Sequence, residues 1–141
     1  KVAVASTTTS NTYLSGATAG PYDWTFSTAG NANYTSASAT PINITISKAT
    51  PTISLSTSPS SNYTYDGTGI TATYSISTYH NQLTGTLDLN SVAVASTTTS
   101  NTYLSGATAG PYDWTFSTAG NANYTSASAT PINITISKAT P

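Results

Sequence analysis

The chain has 141 residues with three lysines, no arginine, four aspartates and no glutamate, so 5% of its side chains are charged and its net charge is −1. So little positive charge cannot displace counterions from a phosphate backbone, which excludes nucleic acid as a partner. The absence of cysteine excludes a disulfide and a thiolate metal site, and no run is long and apolar enough for a membrane span.

The repeat frame comes before the elements. Val2–Pro51 recurs letter for letter as Val92–Pro141, an offset of ninety residues (92 − 2). Packing alone does not demand such identity, since cores tolerate substitution when volume and pattern are kept. The frame divides the chain into residues 1–48, the C-terminal part of one repeat, residues 49–138, a complete repeat, and residues 139–141, the start of the next. No signal peptide is expected within them, and the segment reads as a window cut from a longer mature protein.

Taken in chain order, Val2 and Val4 (repeated as Val92 and Val94) suggest a strand. Thr7–Ser10, repeated as Thr97–Ser100, is a hydroxyl-rich run that reads as an edge strand or a loop and could carry O-linked sugars. Tyr103-Leu104 is expected to cap the core. Tyr22, Trp24 and Phe26 alternate with Asp23, Thr25 and Ser27, the period of a half-buried strand, and Tyr112, Trp114 and Phe116 repeat it. A turn at Gly30-Asn31 or Gly120-Asn121 leads to Ile42, Ile44 and Ile46, or Ile132, Ile134 and Ile136, alternating with Asn and Thr so that isoleucine takes one face. Thr50-Pro51 and Thr140-Pro141 punctuate the repeats, because proline lacks a ladder donor and biases its predecessor to extended structure.

In the complete repeat, Thr52–Ser56 is the first strand and Thr57–Ser61 a Ser/Thr/Pro loop. Asn62–Tyr65 leads into the turn Asp66-Gly67, where glycine accepts a positive φ without steric cost. Ile70, Ala72, Tyr74 and Ile76 mark a strand, Tyr79–Gln82 a polar loop, and Leu83, Leu87 and Leu89 a strand interrupted at Gly85. No stretch reads as a helix. About seven short strands separated by turns predict an all-β fold, an immunoglobulin-like antiparallel β-sandwich in tandem repeat.

Four motifs occur in order: Tyr65-Asp66-Gly67-Thr68, Ala109-Gly110-Pro111-Tyr112, Gly120-Asn121-Ala122-Asn123-Tyr124 and Lys138-Ala139-Thr140-Pro141. Together they resemble the bacterial and archaeal immunoglobulin-like repeats of the YDG/MBG type, over the whole ninety-residue unit. The resemblance implies tandem modules of large cell-surface proteins that serve as stalks, adhesins or filament building blocks.

Residues 1–48 hold only the later strands of a repeat. A half sandwich leaves an apolar face and strand edges open, so its missing strands are expected from another copy of the repeat. That copy would lie end to end with it in the polymer or exchange strands from a neighbouring chain.

Asn33, Asn43, Asn62, Asn123 and Asn133 each begin an Asn-x-Thr triplet without proline, the acceptor motif for N-linked glycans. Asn133 alternates with the isoleucines and should face solvent, while Asn62 and Asn123 sit beside turns. The plainer alternative is five surface asparagines without sugar. Tyr112, Trp114 and Phe116 suit either a sugar-stacking platform or, as the alternation favours, the buried face of their strand. Tyr63, Tyr79 and Tyr124 are expected to be partly exposed.

Asp66, Asp88 and Asp113 are too scattered for calcium, so no metal or other cofactor is expected. Asp66 reads as a turn residue, and His80 lacks an orienting partner. Lys48 and Lys138 at the repeat junctions read as solvated rather than as isopeptide donors. With no nucleophile, base and orienter in sight, an enzyme is not expected. The functional expectation is a structural extracellular fibre or stalk with attached glycans, and the alternative is an adhesin module gripping carbohydrate or protein on another surface.

Overall fold

A computed structural model describes residues 1–78 and 83–141. The readings of Tyr79, His80 and the Tyr79–Gln82 loop lie outside the described residues. The chain is all-β, with no helix among the described residues, and divides into two units, Lys1–Ser47 and Lys48–Pro141.

The first unit contains β1 (Gly20–Trp24), β2 (Ser27–Thr28), β3 (Ala37–Ser38) and β4 (Ile42–Ile46). β1 pairs antiparallel with β4, from Gly20 opposite Ile46 to Trp24 opposite Ile42, and β2 pairs with β3. The intervening turn is built locally. Asn31 N donates to Tyr34 O at 2.8 Å, and Asn31 Oδ1 accepts from Asn33 N at 2.8 Å and Tyr34 N at 3.0 Å. An Asx side chain bonding the backbone two and three residues on is ordinary turn chemistry. None of the residues 1–47 is buried.

The second unit contains β5 (Thr52–Ser58), β6 (Tyr63–Thr64), β7 (Thr71–Ser77), β8 (Gly85–Leu89), β9 (Val92–Thr97), β10 (Asn101–Leu104), β11 (Gly110–Thr118), β12 (Ala127–Ser128) and β13 (Ile132–Ser137). These nine exceed the seven read from the alternation, the excess being the two-residue β6 and β12, too short to show a period. One sheet runs β10-β7-β5. The other runs β6-β13-β11-β8-β9, with β12 added to β11. Among the described strands of this unit the pairings are antiparallel except β6 with β13, where Tyr63 lies opposite Ile136.

The core lies between these two sheets. β7 contributes Ala72, Tyr74 and Ile76, while β8, β11 and β13 contribute Leu87, Trp114, Phe116, Ile134 and Ile136. Tyr74 and Phe116 meet across it with ring centroids 5.1 Å apart, and Tyr103 meets Trp114 at 6.1 Å, within the range of favourable aromatic pairs. The alternation therefore orders β11 and β13 as read, with the large aromatics buried rather than displayed. Gly85 does not interrupt its strand but begins it. A Cβ there would run into the Phe116 ring, so the glycine is what lets that ring lie against the backbone.

The β8–β9 hairpin closes through Asn90 and Ser91, both in the left-handed region with φ of 51° and 66°, as a two-residue turn matching strand twist requires. Asn90 also binds the neighbouring strand. Its N donates to Asp113 O (2.8 Å), its Nδ2 donates to Pro111 O (3.1 Å), and its Oδ1 accepts from Asp113 N (2.9 Å).

Burial raises the Tyr74 phenol above its ordinary value of 10.0. A raised folded-state value keeps the neutral form favoured, so its contribution is intact below pH 10 and is lost as pH climbs through the higher folded value. The second unit is therefore expected to lose stability above about pH 10. In a spectrophotometric titration of the tyrosines, Tyr74 should ionise late and together with unfolding.

Candidate functional site

The two identical fifty-residue stretches give the same chemistry in two settings. Their hairpins share one register, since Gly110 lies opposite Ile136 and Trp114 opposite Ile132, as Gly20 and Trp24 face Ile46 and Ile42. Their turns share one hydrogen-bond set, with Asn121 in the place of Asn31. Their burial differs. Ile134, Phe116 and Tyr124 are 1%, 0% and 4% exposed, whereas Ile44, Phe26 and Tyr34 are 54%, 64% and 75% exposed.

The strands differ too. Val92–Thr97 and Asn101–Leu104 are β9 and β10, paired with β8 and β7 respectively. The same residues at Val2–Thr7 and Asn11–Leu14 form no strand. β11 continues to Thr118 along β8, whereas β1 stops at Trp24. A strand needs a partner's donors and acceptors to satisfy its backbone, and β7 and β8 are engaged with the second stretch. The first stretch keeps its local hairpin and turn, and leaves an apolar face open.

The five asparagines lie on accessible backbone, with one exception. Asn33, Asn43, Asn62 and Asn133 are exposed, and so is the threonine two residues after each of the five. Asn123 is half-buried, because Ala49 pairs with its loop. Ala49 N donates to Asn123 O, and Thr125 N donates to Ala49 O, both at 2.9 Å. The same pairing buries Tyr124, contrary to the expectation that it is partly exposed. Tyr63 is half-buried, in line with that expectation, and donates from its hydroxyl to Thr68 O at 2.6 Å.

Asn133 projects from β13 in register with Asp113 of β11. Asn43 holds the equivalent place opposite Asp23. Asn62 takes on a second task. Its Oδ1 accepts from Thr135 N at 2.8 Å, closing the edge of β13 where β6 begins. Thr135 is the hydroxyl residue of the Asn133 triplet, so two acceptor motifs adjoin at one sheet edge. Sugar is attached through Nδ2 and leaves Oδ1 free to accept, so the edge bond is compatible with modification. Nothing local signalled this bond, whose partners are 73 positions apart. Asn62→Ala is expected to lower the stability of the second unit by about 1 kcal/mol, read as a lower denaturation midpoint with faster amide exchange at Thr135.

Asp66 is the turn residue expected. Its Oδ1 accepts from Thr68 N at 2.8 Å, and that bond holds its carboxyl below the usual range. Among the described residues no three of His, Cys, Asp and Glu gather as a metal would require. Among the same residues no helix is long and apolar enough to cross a membrane.

Comparison with family models, curated proteins and solved structures finds no match. The fold itself defines an all-β protein of facing sheets, in which one fifty-residue sequence is covered in one place and open in another.

Proposed function

We propose that the chain is part of an extracellular fibre or stalk, made of identical immunoglobulin-like repeats in tandem and coated with N-linked sugar. Its role is mechanical rather than catalytic. The observation that carries this reading is the fifty-residue identity between Val2–Pro51 and Val92–Pro141, which lets one repeat-to-repeat geometry recur along a polymer. The junction supports it, because Lys48-Ala49-Thr50-Pro51 is short, Ala49 spends both backbone groups on the 123–125 loop, and Pro51 is buried. The exposed acceptor asparagines support the sugar coat, which would hydrate a surface that is 5% charged.

Electron microscopy of native material tests the polymer. Regular filaments are expected, and single flexible stalks ending in a distinct head would favour the adhesin instead. Intact-mass and glycopeptide measurement of the native protein tests the coat. Sugar is expected first on Asn62 and Asn133, and bare asparagines throughout would remove it.

A further inference from the structure

Two acceptor triplets of the second unit have a middle residue that the fold holds. Ile134, between Asn133 and Thr135, is buried, and so is Tyr124, between Asn123 and Thr125. In a strand, residues two apart share a face, so a triplet that turns Asn133 and Thr135 to solvent turns Ile134 to the core. The backbone is held as firmly. Residues 132–136 lie in register with β11, and Thr135 N donates to Asn62 Oδ1. Asn123 N and Tyr124 N donate to Asn121 Oδ1, Tyr124 O accepts from Asn121 N, and Ala49 engages Asn123 O and Thr125 N.

The chemistry of transfer conflicts with that confinement. Asparagine Nδ2 attacks the anomeric carbon of a sugar activated as a lipid-linked diphosphate. The new C–N bond forms as the bond from that carbon to the diphosphate oxygen breaks. The diphosphate leaves with the electron pair, and Nδ2 gives a proton to a base of the transferase. An amide nitrogen donates hydrogen bonds and accepts none, because its lone pair is shared with the carbonyl. A transferase must therefore grip the amide, and it reads the hydroxyl two residues on as well. A cleft that closes on both encloses the residue between them. Ile134 and Tyr124 enter such a cleft only by leaving the core, which means opening the unit. We infer that the unfolded chain is the substrate for sugar transfer at Asn123 and Asn133, and that folding of the repeat ends their modification.

The first unit supplies the control. Asn43-Ile44-Thr45 repeats Asn133-Ile134-Thr135 letter for letter, yet Ile44 and Tyr34 are exposed. β1 and β4 form a two-stranded sheet, an arrangement that is marginally stable in water. In this chain Asn33 and Asn43 therefore remain acceptors after folding. Asn62 stands outside the inference, because Tyr63 is half-buried in a two-residue strand. Asn62 and Asn133 are still where the finished fold has room for sugar, since Asn123 is half-buried. The inference rests on the proposed sugar coat and states when the coat is applied.

The test uses the purified, folded full chain, an oligosaccharyltransferase that accepts Asn-x-Thr, and a lipid-diphosphate oligosaccharide. Glycopeptide mass spectrometry follows each site with time. Asn33 and Asn43 are expected to fill, and Asn123 and Asn133 to fill more slowly by about a hundredfold or more, the open fraction of a stable domain being that small. A synthetic peptide of residues 128–141, which has no sheet to join, should fill as Asn43 does.

A pair of variants ties the difference to folding. Phe116→Asp puts an unpaired charge in the core and is expected to unfold the second unit, seen as loss of near-ultraviolet circular dichroism. Asn133 should then fill at the rate of Asn43. Phe26→Asp, the same change in the other copy, should leave Asn133 protected. Equal rates at Asn43 and Asn133 in the folded chain overturn the inference, and so does an Asn133 that stays bare in the peptide while Asn43 fills. Native protein with sugar on Asn133, together with equal rates in the folded chain, would overturn the order of events and leave the sugar coat standing. Bare native protein whose Asn133 fills only when unfolded would do the reverse.

Discussion

Trp114→Ala is expected to destabilise the second unit by about 3–5 kcal/mol, while Trp24→Ala, the same substitution in the same sequence, should shift that unit's stability by no more than about 0.5 kcal/mol. Trp114 is fully buried among Tyr103, Phe116 and the β13 isoleucines, and its removal leaves a cavity that a rigid sheet fills poorly. A domain of this size commonly has a total stability of about 5–15 kcal/mol, so the first variant sits near the edge of unfolding. Guanidinium denaturation reads the difference as a lower midpoint at unchanged slope. Trp114→Phe should cost less than Trp114→Ala, for two reasons. It keeps most of the apolar volume, and it removes an indole N–H that has no hydrogen-bond partner among the described residues. Equal effects of Trp114→Ala and Trp24→Ala would mean that the two stretches are covered alike.

That comparison separates what sequence carries locally from what it does not. The alternation of Tyr112, Trp114 and Phe116 with Asp113 and Thr115 is a period-two signal, and the sheet buries the face it marks. Ile134 and Ile136 against Asn133 read equally well. The Asp66-Gly67 and Gly120-Asn121 turns were legible because their hydrogen bonds span two or three residues. Polar edges were not. β6 and β12 have two residues each and exist through what lies beside them. Tyr124 looked like a turn residue at a rim, and only the pairing of Ala49 with its loop buries it. The acceptor asparagines were legible as triplets, and the alternation placed Asn133 outward. The bond from Thr135 to Asn62 and the partial cover over Asn123 come from residues far away in sequence. The open face of the first unit was legible as half a sandwich from the repeat frame alone. No local pattern distinguishes Ile44 from Ile134, since the forty residues before each and the seven after each are identical.

Glycine at the shared turn gives the opposite expectation, an effect in both copies. Gly30 and Gly120 each have φ of 78°, a conformation that costs an L-residue about 1–2 kcal/mol. A Cβ on Gly120 would also stand 2.5 Å from Tyr124 O, and one on Gly30 would meet Tyr34 O in the same way. Gly120→Ala is therefore expected to destabilise the second unit by about 2 kcal/mol or more, because the displaced Tyr124 carbonyl belongs to a buried residue whose loop holds Ala49. Gly30→Ala should leave that unit's denaturation midpoint unchanged and yet open its own turn. The measurable sign is loss of the Asn31-to-Tyr34 hydrogen bond and of the Ser27–Ser38 pairing by NMR. The turn is dictated by five consecutive residues and so fails wherever they occur, whereas the tryptophan matters only where a second sheet lies over it. A Gly30→Ala chain with an intact turn would show that the left-handed conformation is not required there, and that the two copies differ even in their local structure.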